Sequence, residues 1–220
     1  MLRFLVVISL LLSICAPASS KTLLDISTAA RYLCEETDAY YFASSEVTVY
    51  VNMAQNAVAN MVEEEALIEL SQYDTLAVAV GAYKQALPSD YLKIQNVFLN
   101  GYVCKKKKVQ EIWSISPNNK SGETVSNTNP WYVLHDGGVM IYPLQTAAGT
   151  YEVYSLKSPT VLSLDADECD LSDQMENLVI LQTAIYMLKK DHEDGKAQRV
   201  EAQLDKEASL INQALVGPKK

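Results

Sequence analysis

"VTVYVNMAQNAVANM" (Val47–Met61) admits two readings, and the fold turns on which is right. Its first five residues, Val47 to Val51, alternate β-branched side chains and taken alone read as a strand. Over the whole stretch, Val47, Val51, Ala54, Val58 and Met61 recur at steps of 4, 3, 4 and 3, the spacing of one helix face. The longer period outweighs the shorter one. A helix starting at Ser44 or Ser45 is predicted, with Glu63 to Glu65 ending the run.

Working outward, residues 22 to 70 are helical by pattern. Asp25 is placed to cap a short helix whose apolar positions Ile26, Ala29, Ala30 and Leu33 share a face, and "EETDAYYFAS" (Glu35–Ser44) separates it from the helix above. The far end of the chain repeats the character. Leu171-Ser172 opens a helix with a broad apolar stripe of Met175, Leu178, Val179, Leu181, Ile185 and Leu188, and Asp173 and Glu176 suit its positive end. "DHEDG" (Asp191–Gly195) interrupts it. A last helix runs from about Lys196 to Leu215, with Ala197, Val200, Leu204, Ala208, Ile211 and Leu215 on one face.

Between these helical ends, residues 73–164 change character. Short β-rich runs are punctuated by Gly, Pro and Asn, and Asn100-Gly101 joins two of them as a hairpin signal, since both residues tolerate the positive φ of a type I′ turn. Asp136-Gly137-Gly138 does the same inside "WYVLHDGGVMIYPL" (Trp131–Leu144). "TYEVYSLK" (Thr150–Lys157) adds a strand with Tyr151, Val153 and Ser155 on one face, while the polar run Ser116–Pro130 reads as a protruding loop. The expected class is α+β: a helical bundle from the N- and C-terminal helices (22–72 and 165–216) with an inserted antiparallel β-hairpin region (73–164).

The first residues, "MLRFLVVISLLLSICAPASSK" (Met1–Lys21), have the composition of a secretory signal: a basic start, an apolar run too short to span a bilayer and small residues at Ala16, Ala18 and Ser19. Residues 1–21 are therefore read as a signal-like leader or a misassigned start. No other segment is apolar enough to span a membrane. Removing the leader leaves roughly 200 residues, enough for one well-buried domain. The chain carries a formal charge of −9, which argues against a surface that clamps nucleic acid throughout.

Chemistry is sparse. Outside the leader the cysteines are Cys34, Cys104 and Cys169, an odd number without paired spacing, so they read as small core residues and weakly favour a reducing compartment. His135 and His192 are the only histidines, a poor supply for a zinc site. No catalytic, cofactor-binding or metal-binding set is predicted. "DADECDLSD" (Asp165–Asp173) gathers five acidic residues but lacks the central Gly and closing Glu of a calcium loop, and reads as a solvated loop with capping duties. Lys105, Lys106, Lys107 and Lys108 form a run able to face phosphate, with a solvated, aggregation-resistant strand edge as the alternative. Asn119-Lys120-Ser121 has glycosylation spacing, and His135 beside a turn is expected at the surface.

Four stretches in order carry a resemblance: "YVNMAQNAVANMV" (Tyr50–Val62), "ALPSDYLKIQNVFLNG" (Ala86–Gly101), "WYVLHDGGVMIYPLQTAAGTYEVYSLKSP" (Trp131–Pro159) and "DLSDQMENLVILQTAIYMLKKDHEDGKAQRVEAQL" (Asp170–Leu204). Over residues 22 to 215 the chain resembles head-to-tail adaptor (connector) proteins of tailed bacteriophages, as in short-tailed phages. The resemblance implies a non-enzymatic virion protein without cofactor, assembled in the host cytoplasm. It implies a ring, dodecameric as a rule, that docks a tail or nozzle protein to the portal protein and extends a channel through which DNA slides without sequence-specific binding. Positions matching the portal-facing C-terminal segment are Ile211, Leu215, Lys219 and Lys220. The alternative, with the leader at work, is a secreted or periplasmic non-enzymatic binding module that shows the 116–130 loop to a ligand.

Overall fold

The computed structural model describes residues 20–36, 41–82, 84–113 and 125–216. In chain order its elements are α1 (Leu23–Leu33), α2 (Ser44–Met61), two 3₁₀ turns (Glu64–Ala66 and Ile68–Leu70), β1 (Ser71–Ala77), β2 (Tyr91–Leu99), β3 (Tyr102–Val103), β4 (Lys105–Lys106), α3 (Val109–Trp113), β5 (Trp131–His135), β6 (Gly138–Tyr142), β7 (Thr150–Lys157), α4 (Asp173–Lys190) and α5 (Asp194–Val216). The class is α+β. Two compact units are formed: a helical unit from the described residues up to Glu69 and from Pro159 onward, and a β unit spanning Leu70–Ser158.

In the helical unit the decisive stretch is helix. Val47, Val51, Ala54 and Val58 are buried and Met61, in the last turn, is exposed. Magnitudes explain why the β-branched start does not prevail. A Val costs about 0.5 kcal/mol in a helix relative to the best formers, whereas burying its side chain stabilises by about 1.5 kcal/mol or more. Burial wins wherever the stripe finds a partner, and here the partner is α4. Two polar residues on the same helix, Asn52 and Gln55, fasten the loop that precedes α4. The Asn52 amide accepts from the Leu162 N–H at 2.8 Å and donates to the Leu162 carbonyl at 2.9 Å, while the fully buried Gln55 donates to the Thr160 carbonyl and accepts from the Cys169 thiol.

Two expectations for the helices are corrected. Asp25 does not cap α1 itself; Thr22 does, accepting the Asp25 N–H at 3.2 Å while Asp25 reaches back to the Thr22 N–H at 3.0 Å, a capping box. The terminal helices also do not close into a bundle. Instead α4 is a central helix, buried on nearly all sides, and α1, α2 and α5 each pack against it. A groove remains between α1 and α5 over Ile180 and Leu181, so Tyr32 and Leu33 stay exposed although Leu33 belongs to the apolar stripe of α1.

The β unit corrects the inserted antiparallel hairpin region as well. It holds two sheets: an antiparallel one in the order β1-β7-β2-β3, and a mixed one in the order β4-β5-β6 in which β4 runs parallel to β5. A parallel pair cannot be made by a hairpin and needs a crossover, here the excursion from Lys107 to Pro130 that carries α3. Local hairpins are present too. Asn100 (φ 50°) and Gly101 (φ 79°) turn β2 into β3, and Asp136 (φ 47°) and Gly137 (φ 67°) turn β5 into β6, with Gly138 already the first residue of the strand. Tyr151, Val153 and Ser155 of β7 are buried, and Tyr151 and Val153 share a core with Val97 and Leu99 of β2 and Val139 and Ile141 of β6. The buried Gln85 completes this unit. It exchanges backbone hydrogen bonds with Val139 in both directions, and its side chain accepts from the Ala79 N–H at 2.7 Å. Of the loop expected over 116–130, residues 116–124 lie outside the described residues, as do the Asn119 glycosylation spacing and most of the leader, 1–19; Ser126 and Asn129 form a turn.

Candidate functional site

Ser20 and Lys21 are fixed by an acidic group. Glu176, in the first turn of α4, is wholly buried, and its carboxylate accepts from the Lys21 N–H at 2.6 Å, the Ser20 hydroxyl at 3.1 Å and the Lys21 ammonium at 3.0 Å. Beside it, backbone bonds from Leu23 to Asp167, Leu24 to Asp165 and Cys169 to Lys21 lace the start of α1 to the acidic loop. The Asp167 carboxylate accepts the Ser163 and Leu164 N–H groups at 2.7 and 2.8 Å, bonds that hold it below the usual carboxylate range. These carboxylates are occupied in shaping the loop. Among the described residues no cluster of His, Cys, Asp and Glu is arranged to hold a metal.

The predicted lysine run lies at a strand edge. Lys105 and Lys106 form β4, the outer strand of the mixed sheet, and are exposed, as is Lys108. Lys107 is half-buried, its ammonium 4.6 Å from the centre of the buried Trp131 ring. Just before them in sequence, Tyr102 and Val103 form β3 at the edge of the other sheet and are also exposed, with the buried Cys104 between the two strands.

Of the four residues expected to meet a portal, two lie within the described residues. Ile211 is buried, Leu215 falls in the last turn of α5, and Lys219 and Lys220 lie outside the described residues. Ile211 instead lines a cleft of about 470 Å³ with Ala66, Ile68 and Met175, and Glu65, Glu69 and Asp173 rim it. Sequence reasoning missed this cleft because its walls come from three distant segments. Its one local signal was Ile68, an apolar residue amid the acidic run Glu63–Glu69, and it is 72% exposed.

The thiols are not poised as nucleophiles. Burial pushes Cys34 up to about 11, Cys104 up to about 12 and Cys169 up to about 11, so each is protonated near neutrality. His135 is exposed at the end of β5. No helix among the described residues is long and apolar enough to cross a membrane.

Charge is divided between the two parts of the chain. Residues 70–158 hold eight Lys and six Asp and Glu, a formal +2, which leaves the remainder at −11. The two units therefore differ in the sign of their formal charge, and the acid-rimmed, apolar-floored cleft belongs to the negative one. Residues 21–217 match the family described as SU10 adaptor protein, and the chain belongs to that family, a group of phage structural adaptors. No curated protein matches it.

Proposed function

We propose that this chain is the head-to-tail adaptor of a tailed phage: copies form a ring on the portal protein, dodecameric as in the adaptors it resembles, dock a tail or nozzle protein and continue the DNA channel. The observation that carries the reading is the family match over residues 21–217, nearly the whole described chain. The charge balance supports it. A passage lined by carboxylates repels phosphate and lets DNA slide, whereas a cationic lining would hold it. The last turn of α5 with Leu215, and Lys219 and Lys220 that follow it in sequence, are the segment we assign to the portal, while Ile211 is buried in the cleft beside Met175.

The test is reconstitution. Purified chain mixed with its cognate portal protein should sediment as a ring-bearing complex, and mass spectrometry of purified virions should contain the chain. A product cleaved near Ser19 or Ser20, found in the periplasm and missing from virions, would replace the adaptor reading with the exported binding module.

A further inference from the structure

We propose that the acid-rimmed cleft of the helical unit is the receptor for the lysine edge of a second copy, so that the ring closes by a head-to-tail contact between β4 of one subunit and the Glu65–Glu69–Asp173 cleft of the next. The inference rests on the ring reading and adds the surfaces that make it.

The receptor is built from the first 3₁₀ turn and the one after it, the start of α4 and the last third of α5. It has an apolar floor in Ala66, Met175 and Ile211, and Ile68 stands at its margin. Glu65, Glu69 and Asp173 are all exposed around it. A basic segment with an apolar side chain beside it satisfies both parts of such a cleft. Tyr102 to Lys108 has that composition: Tyr102 and Val103 supply apolar surface, and Lys106 and Lys108 are exposed cations within a few residues.

Charge decides the partner and the geometry of the contact. Two helical regions facing each other across a two-fold axis would set −11 against −11, and repulsion over less than a Debye length would oppose the approach. The opposite signs lie on different units of the same chain, so the favourable encounter brings the β unit of one copy to the helical unit of another. A contact between unlike patches is heterologous, and where its rotation closes it generates a ring rather than a two-fold dimer, the closure here being set by the portal beneath. The same sign difference steers copies into register as they collide.

The test uses the full chain with its portal protein and reads the ring-bearing fraction by sedimentation velocity, with circular dichroism confirming that each variant is folded. Variant one is Lys106→Glu with Lys108→Glu; variant two is Glu65→Lys with Glu69→Lys; variant three combines them. Either reversal alone is expected to weaken ring formation about tenfold or more, and the combination to recover most of it, because close interfacial charge pairs couple on that scale. Rings that form equally well in the single-reversal variants would overturn the docking while leaving the ring reading intact. So would variants that assemble normally but change DNA retention, which would assign the lysines to phosphate. A wild-type chain that stays monomeric with its portal would overturn the ring reading and the docking with it.

Discussion

Lys21 and Glu176 meet across 155 positions of sequence: the Lys21 amide donates to one carboxylate oxygen at 2.6 Å and its ammonium lies 3.0 Å from the other. One buried carboxylate thus anchors Ser20 and Lys21 to the head of the central helix. Glu176→Ala is expected to destabilise the protein by about 3–5 kcal/mol, since a partly buried ammonium and two other donors lose their acceptor together. Glu176→Gln, which keeps an acceptor oxygen, should cost less. Urea denaturation followed by far-UV circular dichroism measures both, and equal midpoints for Ala and wild type would refute the anchor.

The β unit has its own tight point at Gly138. A Cβ there would sit 2.9 Å from the Gln85 carbonyl oxygen and 2.5 Å from the Lys84 side chain. Lys84 can swing away, but the carbonyl is held by the Val139 N–H at 3.1 Å. Gly138→Ala should therefore destabilise by about 1–3 kcal/mol, the usual cost of overpacking. Thermal unfolding of the variant would show it as a lowered midpoint; Gly195→Ala, where nothing lies within 4 Å, is the matched control.

Acid should loosen the capping at both ends of the loop-to-α1 junction. Asp25 is held below its ordinary value of 3.8 by the hydroxyl and N–H of Thr22, and Asp167 is held below 3.8 by the Leu164 and Ser163 N–H groups. A lowered folded pKa means the contribution is present above the unfolded value and is lost as pH falls from 3.8 through the folded value. Asp167→Ala should consequently be less stable than wild type at neutral pH, with the gap narrowing below pH 3.8. A gap that stayed constant down to the acid limb would mean the carboxylate charge plays no part.

The thiols offer a probe of packing. With Cys34, Cys104 and Cys169 raised to about 11, 12 and 11 by burial, iodoacetamide at pH 8 should label them slowly in the native protein and completely in denaturant. Peptide mapping by mass spectrometry separates the three. Rapid native labelling of Cys104 would contradict the packing of the β unit.

What the sequence discloses depends on how local the determinant is. The 4, 3, 4, 3 period of Val47 to Met61 spans several turns and identifies α2 despite its β-branched start, and the turn residues Asn100-Gly101 and Asp136-Gly137 announce their own positive φ. Partner choice is not local. Leu33 lies on an apolar stripe but stays exposed because α1 meets only one side of α4, a fact set by where α5 lands. The pairing of Lys105 with Trp131 and of Lys106 with Tyr132 is likewise invisible, because a parallel bridge leaves no turn chemistry at either strand. The lysine run could be read directly as a candidate surface. Its proposed receptor could not, because Glu65, Asp173 and Ile211 are brought together only by folding.

The short bridge between β4 and β5 has a practical consequence. Lys105 donates to the Pro130 carbonyl at 2.8 Å and Lys107 to the Tyr132 carbonyl at 2.9 Å, so the excursion from Lys107 to Pro130 is pinched shut at its base. Chain spliced between Trp113 and Val125 should weaken that closure only slightly, because loop closure grows more costly only logarithmically with added residues. A fluorophore-binding tag or an affinity peptide inserted there should leave the Lys105–Pro130 and Lys107–Tyr132 bonds, and with them the mixed sheet, in place.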